Sequence, residues 1–460
     1  MRDDSTICAL STPVGVGGLA VIRVSGPEAI EIAGRVFRGR SLQKAPTYQA
    51  RHGVIVDPKS GEMIDEVVAL VMRGPRNFTG EDTVEIDCHG GMYICRRILE
   101  ALIQSGCRMA TPGEFSKRAF LNGRMDLTEA EAVMDMINAE TAYSLKAATH
   151  QLKGGLSEAI ENVRLMLLDC IVKMEVNIDY PEYDVPEITD DEVFETCEAA
   201  LDKVEELLST ADSGRMLRDG IGAALVGSPN VGKSSLLNLL LGSDRAIVTE
   251  IPGTTRDVIE EKLDLGGIPI RIMDTAGIRE TSDTVEKIGV ERSYRSMEES
   301  DVIFWVVDAT RDISEEEQAF RNASLSKGGK PYLVLLNKTD EGRLSRETLA
   351  ETLQIDPSRI VEMSAKEKTG IPELTEKIKE MFFAGEVLSF SQPLITNLRQ
   401  KEALAGAREA LQRVLDAEGM PQDLLVIDIR EAAEAIGRVT GKSTQEEVIT
   451  EIFSRFCLGK

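Results

Sequence analysis

The sequence predicts a multidomain protein that combines α/β and helical regions, with a doubly wound α/β domain inserted between two helical segments. In the middle of the chain, from about residue 221 to residue 363, apolar strand-like runs alternate with helical patterns, which is typical of a mostly parallel sheet. On either side, residues 120–215 and 385–460 carry only helical periodicity. Residues 1–119 mix strand-like and helical patterns, and we expect them to form a separate α+β domain.

The composition indicates a soluble globular protein. Among 460 residues, 42% are hydrophobic and 28% are charged, which is ordinary for globular domains. No apolar run reaches the roughly 20 residues of a membrane span, and the start of the chain lacks the apolar core of a secretory signal. Seven cysteines without a Cys-x-x-Cys motif favour a reducing compartment. We therefore expect a cytoplasmic protein without a membrane partner.

The charge is unevenly distributed along the chain. The net charge is −25, yet residues 1–124 contain 16 Lys and Arg against 14 Asp and Glu. The remainder contains 37 basic and 64 acidic residues. A polyanionic partner would therefore prefer the N-terminal third or a basic patch at a domain junction, although a near-neutral domain is also an ordinary finding.

The N-terminal domain (1–119) shows short apolar runs separated by turn signals. Polar residues in or beside it that could act chemically are equally explained as solvated or paired side chains, and His89-Gly90-Gly91 is most simply a turn. These candidates are Arg23, Glu81, Asp82, His89 and Arg124. We predict strands at 7–9, 18–24, 67–72 and 83–87, and helices at 28–36 and 93–105.

The two flanking segments are expected to form one helical domain, because short amphipathic helices need partners to bury their apolar faces. Thr128-x-x-Glu131 resembles a capping box and predicts a long helix over 130–151. The junctions with the central domain (216–384) are predicted at 214–220 and 384–386. Further helices are predicted at 156–177, 190–209, 397–417, 422–436 and 445–456.

A phosphate-binding loop is predicted at 227–234. The segment Gly-Ser-Pro-Asn-Val-Gly-Lys-Ser follows the apolar run 221–226 and precedes a helical pattern, the context in which this motif cradles phosphates. The glycines let backbone N–H groups converge, and the helix dipole adds positive potential. Lys233 is expected to reach the β- and γ-phosphates, and Ser234 to ligate Mg²⁺.

Three further motifs identify the nucleotide as GTP. Asp274-Thr-Ala-Gly277 follows the apolar run 268–273 and is expected to sense Mg²⁺ and the γ-phosphate. Asn337-Lys-Thr-Asp340 ends another buried run, and the Asp carboxylate can accept two hydrogen bonds from guanine, a donor pair that adenine lacks. Ser364-Ala-Lys366 can offer a backbone N–H to the guanine carbonyl oxygen.

The order of these segments is that of a Ras-like fold. Gly266-Gly267 between two strand-like runs predicts a tight hairpin and hence one antiparallel edge strand. The other strands, predicted at 302–307, 332–336 and 360–363, alternate with helices. The nucleotide is therefore expected at the carboxyl ends of the strands.

The residues that would activate water for hydrolysis are less obvious. Ras-like enzymes often place Gln directly after Asp-x-x-Gly, but here that position is Ile278. Arg256 and Arg279 lie nearby without forming a recognisable arginine finger. Glu286 could hold a water, but the residues alone equally describe an exposed helix position.

Six short segments along the whole chain resemble one family, the tRNA-modifying GTPases called MnmE or TrmE. The two N-terminal segments and the Phe-Cys-x-Gly-Lys end are the most discriminating, because the GTPase motifs recur in many assembly GTPases. The segments are the phosphate loop with Asn230, Thr249-Glu-Ile-Pro-Gly-Thr-Thr-Arg-Asp257, Asp274-Thr-Ala-Gly-Ile-Arg279, Asn77-Phe-Thr-Gly-Glu-Asp82, Thr111-Pro-Gly-Glu-Phe-Ser-Lys-Arg-Ala-Phe-Leu-Asn122 and Phe456-Cys-Leu-Gly-Lys460.

The resemblance implies GTP hydrolysis stimulated by potassium, with K⁺ in place of an arginine finger. It implies catalytic roles for Lys233, Asn230 and Glu286, the last orienting water, and a second Mg²⁺ ligand in Thr255 beside Ser234. The implied K⁺ ligands are Asn230, Thr249, Ile251 and Thr254. The implied GTP-binding residues are Asn230, Val231, Gly232, Lys233, Ser234, Ser235, Thr249, Glu250, Ile251, Pro252, Gly253, Thr254, Thr255, Asp274, Thr275, Ala276, Gly277, Asn337, Lys338, Asp340, Ser364, Ala365 and Lys366.

The resemblance also implies an N-terminal domain that resembles folate-binding aminomethyl-transfer proteins and binds a one-carbon tetrahydrofolate. The matching folate positions are Arg23, Glu81, Arg124 and Lys460. Arg124 stands where other members carry Lys, which keeps the charge and changes the geometry. Cys457 has two open interpretations, a reactive thiol or a packing group between apolar neighbours.

The activity implied by the resemblance is installation of a carboxymethylaminomethyl-type group on the wobble uridine of certain tRNAs. The expected assembly is a homodimer that forms a heterotetramer with a flavoprotein of the MnmG or GidA family, which would carry FAD. Two alternatives stay open. One is a ribosome-assembly or signalling GTPase with RNA- or protein-binding flanks, and the other is a folate enzyme with a vestigial GTPase domain.

Overall fold

The structure is a computed structural model in which the described residues divide into two units. The first unit contains residues 5–134 and 434–459, and the second contains the described part of 135–433. The described residues are 5–179, 188–242, 261–273, 296–322, 329–383, 388, 390 and 392–459.

The strands and helices are numbered along the chain. The strands are β1 (Ile7–Leu10), β2 (Gly17–Ser25), β3 (Phe37–Gly39), β4 (Gln49–Val56), β5 (Met63–Met72), β6 (Thr83–Gly90), β7 (Arg108–Met109), β8 (Ile221–Val226), β9 (Glu261–Leu265), β10 (Ile268–Met273), β11 (Val302–Asp308), β12 (Tyr332–Asn337) and β13 (Ile360–Glu362). The helices are α1 (Ala29–Val36), α2 (Met92–Gln104), α3 (Glu114–Leu121), α4 (Leu127–Asn138), α5 (Ala142–Leu152), α6 (Gly155–Asp179), α7 (Asp190–Ser209), α8 (Ala211–Asp219), α9 (Lys233–Gly242), α10 (Glu315–Phe320), α11 (Arg346–Leu353), α12 (Ile371–Phe382), α13 (Leu398–Asp416), α14 (Gln422–Thr440) and α15 (Glu446–Ser454).

The first unit is built on a seven-stranded sheet in the order β3-β4-β5-β6-β2-β1-β7. Neighbouring strands are antiparallel except for the parallel pair β1–β7. In β2 the side chains of Ala20, Ile22 and Val24 are buried against α1 and α2, as the alternation of the sequence predicts. The other face of β1 packs on α3, where Phe115 is fully buried beside Ile7.

The C-terminal helix α15 belongs to this first unit and packs on α3. The rings of Phe453 and Phe120 lie 6.1 Å apart, in an apolar cluster that also contains Leu127. Four elements of this unit escaped the sequence analysis, and two of them, β3 and β7, have only three and two residues. Strand β4 begins with Gln-Ala-Arg-His and lacks a clear alternation, and α3 has only eight residues.

The second unit contains a six-stranded sheet in the order β13-β12-β11-β8-β10-β9. All pairs are parallel except β9–β10, the hairpin predicted from Gly266-Gly267. Buried side chains cover both faces: Leu236 of α9 and Leu374 of α12 belong to one core, and Leu349 of α11 to the other. The predicted doubly wound sheet and its strands are therefore confirmed for the described residues.

The helical flanks confirm most predicted helices and correct one. The predicted single helix over 130–151 is wrong, because Thr141 caps a separate helix, α5, by accepting a hydrogen bond from the backbone N–H of Ser144. The capping box at the start of α4 is also shifted. Asp126 accepts from the N–H of Glu129, and Glu129 accepts from the N–H of Asp126 at 2.8 Å, so neither predicted partner is the cap.

Helices that precede the central sheet in the sequence pack against helices that follow it in the second unit, most extensively α7 with α13. The predicted junction at 214–220 forms part of α8, so the chain reaches the sheet through a helix. Gly214 is required there, because a Cβ atom would lie 2.1 Å from the carbonyl oxygen of Ile395. The predicted junction at 384–386 lies outside the described residues, and the domain boundaries stay predictions.

Two further features concern the helices and the cysteines. Among the described helices, none combines the length and the apolar character that a membrane crossing requires. All seven cysteines are free thiols, and all except Cys457 are buried.

Candidate functional site

The phosphate loop connects β8 to α9 and depends on unusual backbone angles. Gly227 and Gly232 have φ values of 150° and 96°, and Asn230 has a φ of 63°. A Cβ atom at Gly232 would lie 2.4 Å from Nδ2 of Asn337. Glycine is therefore required at 232 by both the backbone conformation and the close approach of a neighbouring loop.

Lys233 opens α9 and lies in the concave side of the loop. Its Nζ donates hydrogen bonds to the carbonyl oxygens of Gly227 at 2.6 Å and Ser228 at 2.9 Å. Burial lowers the pKa of Lys233. Ser234 and Ser235 are exposed in the first turn of α9, where helix N–H groups and hydroxyls can meet phosphate oxygens and Mg²⁺.

Asn337 is 1% exposed, and its side chain forms hydrogen bonds that connect three loops. Its Nδ2 donates to the carbonyl oxygen of Val231 at 2.9 Å, and its Oδ1 accepts from the N–H of Ala365 at 3.2 Å. The first motif residue after β12 thus fixes the phosphate loop on one side and the loop with Ser364 on the other. The sequence analysis predicted all three loops at one edge of the sheet, and the structure brings them together.

Lys338 links the phosphate loop to the end of β11. Its Nζ lies 3.0 Å from the carbonyl oxygen of Asn230 and 2.6 Å from Oδ2 of Asp308. Burial alone would raise the pKa of Asp308, but hydrogen bonds from Lys338 and Thr310 lower it overall. Asp308 therefore stays ionised and holds the lysine across the phosphate loop.

Asp340 is held ready for hydrogen bonding by its neighbours. The Ser364 hydroxyl donates to Oδ1 of Asp340 at 2.6 Å and lowers the pKa of that carboxyl group. Lys366 lies 3.6 Å from Asp340 and 2.6 Å from Glu341. An ionised carboxylate in a fixed orientation can accept the paired N–H groups of guanine.

The remaining predicted GTPase residues cannot be placed. They lie outside the described part of the chain, and their roles stay predictions. They are Thr249, Glu250, Ile251, Pro252, Gly253, Thr254, Thr255, Asp274, Thr275, Ala276, Gly277 and Glu286.

In the first unit, Arg23 lies where β2 meets the end of the chain. Its guanidinium donates to Oε1 of Glu85 from both Nε, at 2.9 Å, and Nη2, at 2.7 Å. Nη1 of Arg23 lies 3.4 Å from the carbonyl oxygen of Gly459. This residue directly precedes the predicted folate residue Lys460, which is not described. The rings of Phe78 and Phe115 lie 5.5 and 5.6 Å from the guanidinium carbon.

Glu81 accepts hydrogen bonds from two sides. The Ser25 hydroxyl donates to Oε2 at 2.8 Å, and the Arg118 guanidinium lies 3.2 Å from both carboxylate oxygens. Arg118 is 6% exposed and also pairs with Glu114 at 3.1 Å. Since Arg23 and Ser25 point from the same face of β2, the structure brings Arg23 and Glu81 into one site.

Arg124 and Cys457 lie at the edges of this region. Nε of Arg124 donates to the carbonyl oxygen of Asn77 at 2.9 Å, and its terminal nitrogens have no partner among the described residues. Cys457 is exposed, and its carbonyl oxygen accepts from the N–H of Gly113 at 3.2 Å. The backbone of Cys457 is thus fixed, and both interpretations of its thiol stay open.

Comparison with known proteins assigns the chain as a whole. The family model "MnmE helical domain" matches residues 127–457, and the model "GTP-binding protein TrmE N-terminus" matches residues 6–124. A protein called tRNA modification GTPase MnmE from Ligilactobacillus salivarius (strain UCC118) is 47% identical over 99% of this chain and 98% of its own. One of the same name from Acetivibrio thermocellus is 46% identical over 100% of both chains.

The chain belongs to the MnmE family of tRNA modification GTPases.

Solved structures that resemble parts of this MnmE-family chain include those of two other proteins. An Era variant from Aquifex aeolicus bound to GDP.AlF4- is 30% identical over 41% of this chain and 65% of its own, with a TM-score of 0.28. The G domain of the FeoB iron transporter of T. maritima is 27% identical over 35% of this chain and 97% of its own, with a TM-score of 0.26. At these TM-scores the structural matches support no conclusion.

Sequence reasoning missed several residues that complete the sites of this MnmE-family chain. Asp308 directly follows the predicted strand 302–307, at the carboxyl edge where α/β sheets bind ligands, and that position could have identified it. Arg118 lies inside a segment that carries the family resemblance, but its partner Glu81 is 37 residues away. Glu85 lies on β6 opposite Arg23, a pairing that only the sheet register reveals.

Proposed function

We propose that this MnmE-family chain is a GTPase that takes part in modifying the wobble uridine of certain tRNAs. The observation that carries this proposal is the identity of 44–47% to proteins called tRNA modification GTPase MnmE over at least 99% of the chain. The hydrogen-bonded loops around Lys233, Asn337 and Asp340 support the proposal, because their groups could bind a guanine nucleotide.

Each described loop has a role in this proposal, and Thr255, which lies outside the described residues, is added to them. Lys233 neutralises the β- and γ-phosphate charge, while Ser234 provides a hydroxyl for Mg²⁺, with Thr255 as a second ligand. Asp340 recognises guanine, and the Ala365 N–H is aligned by Asn337 beside the base. Hydrolysis needs no covalent intermediate on the protein, so catalysis consists of positioning and charge stabilisation.

We further propose that K⁺ stimulates hydrolysis from a site beside Asn230, completed by Thr249, Ile251 and Thr254, while Glu286 orients water. The left-handed backbone of Asn230 and the Lys338 contact to its carbonyl oxygen support this, because they fix the backbone from which its side chain projects. A cation there would offset charge on the bridging phosphate oxygen.

The potassium proposal predicts that GTP hydrolysis is at least about tenfold faster in KCl than in NaCl at equal ionic strength. The Asn230→Ala variant should lose most of that difference. Steady-state phosphate release in the two salts measures both effects. Equal rates in the two salts, or an unchanged ratio in Asn230→Ala, would contradict the cation assignment.

We also propose that the first unit binds a one-carbon tetrahydrofolate, which when bound would supply the one-carbon unit. The donor set fits this ligand. The terminal nitrogens of Arg124 have no partner among the described residues and could bind a glutamyl carboxylate, and the Glu81 carboxylate can accept N–H groups of a pterin. Arg23 and Lys460 would hold further polar groups of the ligand.

The folate proposal is tested by calorimetric titration of the full chain with tetrahydrofolate. We expect Arg124→Ala to weaken binding about tenfold and Arg124→Lys to weaken it less, because a charge-assisted hydrogen bond contributes about 1.5–3 kcal/mol. An affinity that is the same in all three proteins would remove Arg124 from the site.

The complete reaction also requires partners. We propose that the chain forms a homodimer, which joins an MnmG (GidA) family flavoprotein carrying FAD in a heterotetramer. This cytoplasmic assembly adds a carboxymethylaminomethyl-type group to the wobble uridine. Mass spectrometry of wobble nucleosides from cells lacking this chain tests the tRNA assignment. Loss of the modified uridine is expected, and an unchanged nucleoside profile would favour a ribosome-assembly or signalling GTPase instead.

A further inference from the structure

One part of this acidic chain is strongly basic. Residues 32–56 contain five Lys and Arg and no Asp or Glu, although the whole chain has a net charge of −25. Two more arginines follow in the connection from β5 to β6. The seven residues are Arg35, Arg38, Arg40, Lys44, Arg51, Arg73 and Arg76.

The fold gathers most of these residues around the loop between β3 and β4. The loop is fixed to the β5–β6 connection, because Nη2 of Arg73 donates to the carbonyl oxygen of Gln43 at 2.7 Å and the backbone N–H of Arg73 donates to Oγ1 of Thr47 at 3.0 Å. The hydroxyl of Tyr48 also donates to the carbonyl oxygen of Arg76. We define the basic surface by its members, Arg38, Arg40, Lys44, Tyr48, Arg73 and Arg76.

Four cations of the basic surface have no neutralising partner among the described residues. Arg38, Arg40, Lys44 and Arg76 are exposed, and none lies within ion-pairing distance of a carboxylate in the described part of the chain. Elsewhere exposed cations are commonly paired, as Arg413 is with both Asp428 and Glu431. The basic surface therefore keeps a positive potential that an acidic protein does not need for solubility.

An exposed aromatic ring lies among these cations. Tyr48 is 58% exposed and has a φ of 59°, an uncommon conformation for a bulky residue. The conformation is held at both ends, because the N–H donates to the carbonyl oxygen of Val71 at 2.7 Å and the hydroxyl contacts the Arg76 backbone. A rigid, accessible ring beside cations is the arrangement on which unpaired bases stack.

We propose that the basic surface binds the backbone of a single-stranded RNA loop, with Tyr48 stacking on a base. This inference rests on the proposed function, in which tRNA is the substrate. Arg76 directly precedes Asn77, whose carbonyl oxygen accepts from the candidate folate residue Arg124. RNA on the basic surface would therefore lie beside the proposed one-carbon site within the first unit.

Fluorescence anisotropy of labelled, unmodified tRNA with the full chain tests this surface. The variant Arg40→Glu/Lys44→Glu is compared with Lys153→Glu/Arg408→Glu, which changes two exposed cations of the second unit and gives the same net charge. We expect the first variant to bind about tenfold more weakly and the second to stay within about twofold. The slope of log affinity against log salt should fall by about 1.5 in the first variant only.

Two further variants separate charge from folding and from stacking. The neutral variant Arg40→Gln/Lys44→Gln should weaken binding about threefold, and GTP hydrolysis without tRNA should stay unchanged in all the charge variants. Tyr48→Ala should weaken binding about fivefold, while Tyr48→Phe retains the ring and most of the affinity.

The outcomes distinguish this surface from the proposed function. Equal weakening by the two charge-reversal pairs would overturn the surface and leave the tRNA assignment standing. If the Arg40→Glu/Lys44→Glu variant lost binding to anionic phospholipid vesicles while its tRNA affinity stayed unchanged, the surface would also be overturned. A wild-type chain that binds no tRNA under any salt condition would count against the proposed function as well.

Discussion

The phosphate loop in the second unit and the candidate folate site in the first hold their charged side chains in different ways. In the phosphate loop the cation Lys233 is held by backbone carbonyl oxygens, those of Gly227 and Ser228. In the first unit the charged groups pair with each other, as Arg23 does with Glu85 and Glu81 with Arg118.

Because of this difference, substitutions in the two regions should affect ligand binding and folding stability to different extents. A cation held by carbonyl oxygens can be redirected to a phosphate without leaving a buried charge unpaired, so its removal should mainly affect the nucleotide. A half-buried ion pair contributes to both the folded state and the ligand site, because deleting one partner leaves the other desolvated. Substitutions in the two regions should therefore have distinct signatures.

The largest expected effect is the loss of GTP hydrolysis in the Lys233→Ala variant. Loss of the ammonium should lower kcat/KM for GTP by about 10³, or roughly 4 kcal/mol of transition-state stabilisation. The free energy of unfolding should change by less than about 1 kcal/mol. Phosphate release and denaturant unfolding measure the two quantities, with Lys153→Ala as the control. A large loss of stability would remove the contrast between the regions.

The next effect concerns pH and Glu114 in the first unit. Burial by itself would raise the pKa of Glu114, but hydrogen bonds from the Arg108 side chain and the Thr111 N–H lower it from 4.5 to about 2. A depressed pKa contributes stability that is complete above the unfolded pKa and is lost as pH falls through the folded value. The shift corresponds to about 3 kcal/mol.

We therefore expect Glu114→Gln to destabilise the first unit by about 3 kcal/mol at neutral pH and by little near pH 2. Hydrogen exchange of α3 at a series of pH values measures this difference. A destabilisation that does not depend on pH between 4.5 and 2 would show that the Glu114 charge is not the cause.

Guanine recognition should respond to Asp340→Asn by about 100-fold weaker GTP binding, or roughly 2.7 kcal/mol. The amide also presents a donor, so xanthosine triphosphate, whose base replaces the exocyclic amine by a carbonyl, should now bind better than GTP. Competition binding with the two nucleotides measures the change. An unchanged preference for guanine would overturn the assignment of Asp340.

The smallest effect is expected for Glu81→Gln. Arg118 keeps Glu114 as a partner, so the free energy of unfolding should fall by only about 1–2 kcal/mol. Tetrahydrofolate affinity should fall in the same variant, whereas GTP hydrolysis in the absence of tRNA should not. A loss of folate binding without any loss of stability would mean that Glu81 acts only on the ligand.

The GTPase sheet and its described loops could be predicted from the sequence because each motif is contiguous and follows a buried strand. Lys233, Asn337 and Asp340 lie where the motifs place them. The N-terminal site could be predicted only in part, because Glu85 and Arg118 join it through sheet register and helix packing. The capping box at Asp126 shows the same limit over a few residues. Asp126-x-x-Glu129 and Thr128-x-x-Glu131 both fit the sequence pattern, and the structure shows that the first one forms.

The central claim is that GTP turnover at the phosphate loop is required for wobble uridine modification. Cells in which this chain carries Lys233→Ala as its single change provide the most direct test, by mass spectrometry of their tRNA nucleosides. We predict that the modified wobble uridine falls to the level of cells lacking the chain. A full level of modification in those cells, with the variant protein present at normal abundance, would contradict the account.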